Sequence, residues 1–260
     1  MRFDVVTLFP ELFTPFLSSG VTRRAYSSNL VDVKLWNPRD FADGSYRRVD
    51  DRPFGGGPGM VMLAEPLALC LEALRADRAA CAAPVAPTIL FSPAGEVLSH
   101  AGVERWSAGS SGAALICGRY EGLDQRFINT HVDLQISLGD FVLSGGEIAA
   151  MALLDAVARL QPGVLNDEAS HQMDSFNPAL DGLLDCPHYT RPEVWRGQSA
   201  PAVLMSGNHA HIERWQRQQR LALTQRQRPE LVLAARRAGH LTKSDETFLT
   251  ELLRNPEKNA

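Results

Sequence analysis

The sequence predicts an α/β domain built on a mainly parallel sheet, followed by a small helical unit. Two observations carry this prediction. Along residues 1–160, short apolar runs rich in β-branched and aromatic side chains alternate with helical stretches, and beyond residue 200 only helical periodicity returns. The 260 residues are 45% hydrophobic and 22% charged, a globular composition with enough chain for one large core or two modest ones. This composition argues against a disordered, collagen-like or coiled-coil chain.

The apolar runs are predicted to be buried strands at residues 3–9, 31–36, 88–91, 113–117 and 132–136. Between them, helices are predicted over residues 11–18, 65–80 and 148–160. Leu67, Leu71 and Leu74, for example, fall on one face of the second helix. Strands and helices in alternation are typical of parallel sheets, because parallel neighbours need a crossover connection.

A long segment separates this part from the C-terminal helices. Residues 162–201 are rich in Pro, Gly, Asp and His and exceed the usual loop length, which favours a functional loop or a linker. Helical periodicity then covers residues 212–224, 229–239 and 244–254, and Ser244-Asp-Glu-Thr247 is a typical helix start.

Cellular context is predicted from what the sequence lacks. No apolar run approaches the ~18 residues of a membrane span, and no signal peptide is visible, so we expect a cytoplasmic protein without a membrane anchor. The four cysteines form no CxxC pair, which excludes a zinc ribbon and favours reduced thiols. Neither Cys186 with His188 nor His209 with His211 completes a zinc pattern, and we predict no protein metal site.

Charge is distributed unevenly along the chain. The formal net charge is −4, yet residues 211–243 contain eight basic and two acidic side chains, which leaves residues 1–210 at −8. A polyanion such as RNA needs a basic patch rather than a basic protein, so the C-terminal helices are a candidate phosphate-binding surface. A solvated helix face explains the charge equally well, and Trp215 is either a stacking residue or a core anchor.

Glycine-rich loops at the ends of predicted strands form a candidate ligand pocket. They are Ser92-Pro-Ala-Gly95, Gly118-Arg-Tyr-Glu-Gly122 and residues 137–147. Ligands of open α/β sheets bind outside the carboxyl ends of the strands, and three such loops favour a nucleotide-like pocket over plain connections. The chain has no GxxxxGK[ST], no GxGxxG after a strand and no GxSxG, so P-loop, Rossmann and α/β-hydrolase sites lose support. Residues 52–60 are either a surface hairpin or a cover or RNA-contact loop.

Candidate acid–base residues lie on the long segment. Residues 166–176 carry three carboxylates and His171, and a loop carboxylate can act as a general base. Taken singly, an aspartate placed like Asp174 before Ser175 is more often a turn or N-cap residue, and a histidine like His171 is more often simply exposed. Arg159 near the end of its helix is explained as a complement to the helix dipole.

Several of these stretches together resemble one family, the bacterial tRNA (guanine-N1)-methyltransferases that modify position 37 beside the anticodon, the TrmD family of the SPOUT class. The resemblance covers most of the chain, and its motifs are specific in their joint order and spacing. They are Leu8-Phe-Pro-Glu-Leu-Phe13, Trp36-Asn-Pro-Arg-Asp40, Val49-Asp-Asp-Arg-Pro-Phe-Gly-Gly-Gly-Pro-Gly-Met60, Cys117-Gly-Arg-Tyr-Glu-Gly122, Gly139-Asp-Phe-Val-Leu-Ser-Gly-Gly-Glu147, Leu183-Leu-Asp-Cys-Pro-His-Tyr-Thr-Arg-Pro-Glu193 and Leu204-Met-Ser-Gly-Asn-His209.

The resemblance implies a trefoil-knotted methyltransferase domain of residues 1–161, a flexible linker of residues 162–177 and a helical tRNA-binding domain of residues 178–260. It also implies a homodimer with the active site at the subunit interface. The implied methyl donor is S-adenosylmethionine, and the implied cofactor-binding residues are Ser92, Pro93, Gly118, Tyr120, Glu121, Leu138, Gly139, Asp140, Phe141, Val142, Leu143, Gly145 and Gly146.

For catalysis, the resemblance implies Asp174 as the base that removes the N1 proton and Arg159 as the cation that stabilises charge on O6. It further implies help from Mg²⁺, with Glu121 as an acidic contact. Three other functions stay open: a knotted methyltransferase acting on another RNA such as ribosomal RNA, a non-catalytic RNA-binding module, and an ordinary nucleotide-binding α/β enzyme. The last explains the glycines but not the carboxylate segment or the basic helices.

Overall fold

A parallel five-stranded sheet organises the N-terminal part of the chain. The structure is a computed structural model that describes residues 1–109, 111–166 and 169–254. The strands in chain order are β1 (Arg2–Val6), β2 (Asp32–Trp36), β3 (Asp50–Asp51), β4 (Val61–Met62), β5 (Thr88–Val97), β6 (Ala114–Ile116) and β7 (Leu134–Ser137). The large sheet has the order β2-β1-β6-β5-β7, and β3 and β4 form a separate antiparallel pair. The predicted parallel sheet is confirmed.

The sheet is buried on both faces, as apolar strands of a parallel sheet require. One face packs against α1 (Phe13–Ser18), α2 (Arg23–Ser27), α4 (His100–Ser107) and α6 (Glu147–Ala158). The other packs against α3 (Ala64–Ala80) and α5 (Gln125–His131). The predicted helices correspond to α1, α3 and α6. Helices α2, α4 and α5 were not predicted, because they are too short to show a clear helical period.

Strand β5 differs from the prediction. The run Ser92-Pro-Ala-Gly95 was expected to be a loop, but it lies inside β5, where the pairing with β7 shifts between Phe91 and Glu96. Gly95 is packed so closely that a Cβ there would lie 2.4 Å from the backbone carbon of Gln135. The strand therefore continues through an irregularity that only a glycine fits.

A buried ionic cluster joins the sheet to α3. Asp4 on β1 is fully buried, and its carboxylate contacts the guanidinium groups of Arg78 and Arg2, both at 2.6 Å. The indole N–H of Trp36 donates to the same carboxylate at 2.9 Å. The Asp4 charge is thus compensated on several sides, as a buried charge requires.

The chain divides into two compact units, Met1–Asn166 and Asp167–Ala260. The second contains α7 (Ala169–Gln172), a small hairpin of β8 (Val194–Trp195) and β9 (Gln198–Ser199), and the helices α8 (His209–Gln227), α9 (Pro229–Arg237) and α10 (Lys243–Arg254). The three predicted C-terminal helices are confirmed. Their core includes Leu183, Leu221, Val232, Leu249 and Leu252.

Helix α10 begins slightly earlier than predicted. Its first turn is closed by Thr242 and Asp245: the Thr242 N–H donates to the Asp245 carboxylate at 2.9 Å, and the Asp245 N–H donates to the Thr242 hydroxyl at 3.2 Å. This reciprocal cap, rather than Ser244-Asp-Glu-Thr247, starts the helix. Among the described helices, none is both long enough and apolar enough to cross a membrane.

Candidate active site

A cavity of about 390 Å³ lies in the first unit where β5, β6 and β7 approach their carboxyl ends. Its lining comes from residues 90–93 of β5, residues 118–123 after β6, and residues between the end of β7 and the start of α6. This is where ligands bind in open α/β sheets, and the volume suits a small organic ligand. Parts of the three stretches selected from the sequence, one of which belongs to β5, therefore meet in one place.

The cavity collects most of the predicted cofactor-binding residues. Those that line it are Ser92, Pro93, Gly118, Tyr120, Glu121, Leu138, Phe141, Val142, Leu143, Gly145 and Gly146. Gly139 and Asp140 are not among the lining residues. Gly139 instead turns the chain at a φ of 145°, and its N–H donates to the Ser137 hydroxyl oxygen at 3.1 Å. Ligand contact by all thirteen residues stays a prediction.

The glycine pair before α6 permits very close packing. A Cβ on Gly146 would lie 2.8 Å from the Cα of Cys117, and a Cβ on Gly145 would lie 2.2 Å from Arg119 Nε. The backbone N–H of Gly146 also donates to the Gly118 carbonyl at 3.0 Å. The loop before α6 thus lies directly against the loop after β6.

Two residues of this site were missed by the sequence analysis. Arg119 lines the cavity, and Glu147, the first residue of α6, is only 1% exposed. The two form an ion pair with 2.9 Å between Arg119 Nη2 and Glu147 Oε2. The available signal was a carboxylate at the start of the mostly apolar helix α6, directly after the glycine pair.

The buried thiol next to the cavity is not a suitable nucleophile. Cys117 is 1% exposed, and burial, reinforced by the charge of Glu147, holds the pKa of its thiol well above the ordinary value. The reactive form of cysteine is the thiolate, which this environment disfavours. Covalent catalysis by Cys117 is therefore not supported.

The predicted catalytic pair is divided between the two units. Arg159 is half-buried at the C-terminal end of α6 in the first unit. Asp174 is half-buried in the second unit, where its carbonyl accepts from the Asn177 N–H at 3.2 Å. Asp174 thus begins a tight turn, as its sequence context allowed. Each residue is described within its own unit, and the pairing of the two stays a prediction.

One trio in the second unit resembles a metal-ligand group. The ligand atoms of Asp185, Cys186 and His188 all lie within 4.8 Å of one another. However, the Asp185 carboxylate already accepts from Arg220 at 3.2 Å and pairs with His188 at 2.8 Å. Burial also raises the pKa of the Cys186 thiol. A neighbouring guanidinium and a protonated thiol both oppose cation binding, so we assign the trio a structural role.

A sequence model of the family described as tRNA (Guanine-1)-methyltransferase TrmD matches residues 1–234. The chain belongs to this family. It is 79% identical over 260 residues to a tRNA (guanine-N(1)-)-methyltransferase of Polaromonas sp., a match that covers the whole of both chains. The relative of the same name in Paracidovorax citrulli is 72% identical over 252 residues, which are 97% of this chain and 98% of the relative. The one in Bordetella pertussis is 57% identical over 252 residues, with the same coverage.

In this TrmD-family chain, the C-terminal arginines are not equivalent. Arg217 pairs with Asp181 at 2.7 Å and with Asp245 at 3.1 Å. Arg220 is buried and pairs with Asp185. Burial tends to lower the pKa of Arg217, but the hydrogen bonds from its carboxylate partners outweigh this and raise it. Arg217 and Arg220 are therefore held by carboxylates of the same unit, and phosphate contact by the arginines of residues 214–228 stays a prediction.

Other basic residues remain on the surface. Arg214 and Arg237 are exposed and form no ion pair with a carboxylate of the described residues. Trp215 is half-buried, with its ring centroid 6.2 Å from that of Tyr189. Of its two interpretations, the structure favours a packing role in this TrmD-family unit.

Proposed function

We propose that this chain transfers a methyl group from S-adenosylmethionine to N1 of the guanosine at position 37 of tRNA. The observation that carries the proposal is the 390 Å³ cavity that β5 and the loops after β6 and β7 form in a TrmD-family chain. Membership of the family supports tRNA as the substrate and guanine N1 as the acceptor. The cavity supports a small donor molecule held at the edge of the sheet.

The lining of the cavity suits S-adenosylmethionine. Leu90, Ile136 and Leu138 supply apolar surface of the kind that packs against an adenine ring. Glycine-rich backbone, together with the polar side chains of Ser92 and Glu121, offers donors and acceptors for the ribose and amino-acid groups. We propose that these groups hold the methyl donor in a fixed orientation, which favours transfer by proximity.

In the proposed mechanism, Asp174 and Arg159 act on the guanine. The N1 atom carries a proton at neutral pH, and Asp174 accepts that proton as general base. Arg159 stabilises the negative charge that grows on O6. The freed N1 electron pair then forms the bond to the methyl carbon while the carbon–sulfur bond breaks and its electron pair stays on sulfur. The sulfonium thus supplies the activated methyl group, and S-adenosylhomocysteine leaves.

We further propose a trefoil-knotted SPOUT domain and a cytoplasmic homodimer with active sites at the subunit interface, in which Asp174 serves the partner's cavity. TrmD-family membership is the support for this assembly. Within the described ranges, Glu121 belongs to no group of three His, Cys, Asp or Glu side chains close enough to hold a metal. The described residues therefore give no support for a Mg²⁺ site, and no step is assigned to that ion.

The experiment combines purified protein, labelled S-adenosylmethionine and tRNA transcripts. Label is expected on a transcript with guanosine at position 37, mapped to N1, and not on a matched transcript with another base there. Methylation of ribosomal RNA alone would favour the alternative substrate. A chain that binds tRNA without binding S-adenosylmethionine in calorimetry would be a non-catalytic module, and the proposal would be wrong.

A further inference from the structure

We infer that Glu147 is a positioning residue, which holds Arg119 in place and through it fixes the loops that line the cavity. The inference rests on the proposed function, because its ligand is S-adenosylmethionine. Glu147 itself is not a lining residue, so its effect on the ligand is indirect.

The Glu147 carboxylate connects three parts of the first unit. Its Oε1 accepts the hydroxyl hydrogen bond of Thr7 at 2.8 Å, and its Oε2 lies 2.9 Å from Arg119 Nη2. Thr7 follows β1 and Arg119 lies beyond β6, and these two strands are neighbours in the sheet. The first residue of α6 thus links the ends of two strands.

Arg119 extends the connection to the loop before α6. Its Nη1 donates to the Ser144 carbonyl at 3.2 Å, and its backbone forms an antiparallel bridge with Gly145. The guanidinium carbon lies 4.4 Å from the ring centroid of Phe9, within the range of a cation–π contact. One side chain therefore touches the loop after β1 and the loop before α6, while its own backbone belongs to the loop after β6.

Stability alone is a poor reason for this pair. A buried ion pair is often no more stabilising than well-packed apolar side chains of the same size, because both charges lose their water. Here Arg119 Nε and Glu147 Oε2 are buried and make no hydrogen bond to any described residue, so the pair is imperfectly satisfied. What the two side chains supply, and apolar ones would not, are the directional hydrogen bonds from Thr7 to Glu147 and from Arg119 to Ser144, which set the spacing of the loops.

A double substitution separates positioning from stability. Arg119→Met leaves the Glu147 carboxylate buried and uncompensated, so it should destabilise the fold. Arg119→Met with Glu147→Gln removes both charges and should recover most of the lost thermal stability. If the Arg119–Glu147 pair positions the loops, the double variant should still bind S-adenosylmethionine about ten- to a hundredfold more weakly than the unsubstituted chain, since small displacements of a binding site have large effects. Because Arg119 itself lines the cavity, the separate role of Glu147 is tested by Thr7→Val, which leaves Arg119 in place.

The measurements are S-adenosylmethionine Kd by calorimetry, thermal unfolding, and the separate KM values for S-adenosylmethionine and tRNA. The KM for S-adenosylmethionine should rise while that for tRNA changes little. Thr7→Val is a milder variant, expected to raise the Kd by about threefold through loss of one hydrogen bond. Arg78→Met is the matched control: it breaks a buried arginine–carboxylate pair of 2.6 Å whose partners do not line the cavity, and its Kd should stay within about twofold.

The outcomes are distinguishable. If the unsubstituted chain binds no S-adenosylmethionine, the proposed function fails. If it binds but the double variant binds equally well, only the positioning role of Glu147 is overturned. An Arg78→Met variant that weakens binding as much as the double variant would also overturn it, because the effect would then follow general destabilisation. If neither Arg119 variant folds, an unchanged Kd in Thr7→Val has the same consequence.

Discussion

Thr7 and Glu147, which are 140 positions apart in the sequence, are joined by a buried hydrogen bond of 2.8 Å. The bond joins the end of β1, which lies between β2 and β6 in the sheet, to the first turn of α6. Helix α6 follows directly on Gly145 and Gly146, which line the cavity. The position of these two glycines therefore depends on the contact between Glu147 and Thr7, a residue near the N-terminus. The geometry of the site therefore depends on contacts across the first unit and not only on the residues that line the cavity.

Asp174→Asn should remove the proposed base. Asparagine cannot accept the N1 proton, so turnover should fall by about 10²- to 10⁴-fold while the Kd for S-adenosylmethionine stays nearly constant. Single-turnover methylation and calorimetry measure the two effects. Asp181→Asn is a suitable control, because its left-handed backbone at a φ of 57° accommodates asparagine. Normal turnover in Asp174→Asn would place the base elsewhere.

Gly146→Ala should abolish the cavity in its present form. The added methyl group would lie 2.8 Å from the Cα of Cys117, and backbone atoms cannot rotate away as a side chain does. S-adenosylmethionine binding, measured by calorimetry, should be lost. Gly102→Ala in α4 is the matched change, because its nearest neighbour would be 3.6 Å away. That control should leave binding intact and stabilise the fold by roughly 0.5–1 kcal/mol. Equal binding by both variants would contradict the packing argument.

Arg78→Met should be strongly destabilising. It removes one of the two guanidinium groups that lie 2.6 Å from the fully buried Asp4, and because Arg2 remains, the loss of this buried pair should cost up to about 3 kcal/mol. Lys34→Met removes a partner of Asp77 that is 43% exposed, and its effect should stay below about 1 kcal/mol. Urea unfolding of the two variants tests the contrast. Similar losses of unfolding free energy would show that burial does not determine the contribution of these pairs.

The acid stability of the first unit should depend on Asp124. Hydrogen bonds from the Arg126 guanidinium and backbone N–H lower the pKa of Asp124 to about 2. A carboxylate with a lowered folded-state pKa stabilises the fold above its unfolded pKa of about 4, and that contribution disappears as the pH falls towards 2. Asp124→Asn should therefore be less stable near neutral pH, by at most about 1 kcal/mol for an exposed pair, and equally stable near pH 2. A pH-independent difference in thermal unfolding would rule out this linkage.

The arginines of the second unit should separate into two groups when tRNA binding is measured against salt concentration. Arg214→Gln should reduce the salt slope by roughly one unit, because an exposed guanidinium can bind a phosphate. Arg220→Gln should leave the slope unchanged and lower the stability instead, since Arg220 is buried against Asp185. Filter binding over a range of salt concentrations gives both slopes. The reverse order would mean that the internal pairs open on the RNA.

The sequence pattern was sufficient for the five strands of the large sheet, for the long helices and for the location of the cavity. Buried runs such as that around Phe3 and Val5 have few alternatives to a parallel strand, and strand ends of such a sheet meet at one edge. Helices α4 and α5 lack a long period, but their caps were available: the Ser99 hydroxyl accepts from the Gly102 N–H, and the Asp124 carboxylate from the Arg126 N–H.

The side-chain partners were not predictable in the same way. Arg119 and Glu147 belong to different elements, and no local period reports which distant residues meet. For the same reason, counting basic residues overestimated the free charge of the second unit. The carboxylates of Asp181 and Asp185, which precede α8 by more than twenty residues, neutralise two of its arginines.

The absence of side chains at Gly145 and Gly146 bears on inhibitor resistance. A compound seated in the cavity would rest on backbone that is pressed against Cys117 and Arg119, where not even one methyl group fits. Point substitutions that add a side chain at these two residues would disrupt the wall of the cavity in which S-adenosylmethionine is proposed to bind. A compound that binds against Gly145 and Gly146 would therefore leave few substitutions at these two positions that weaken the compound without also disrupting the cavity.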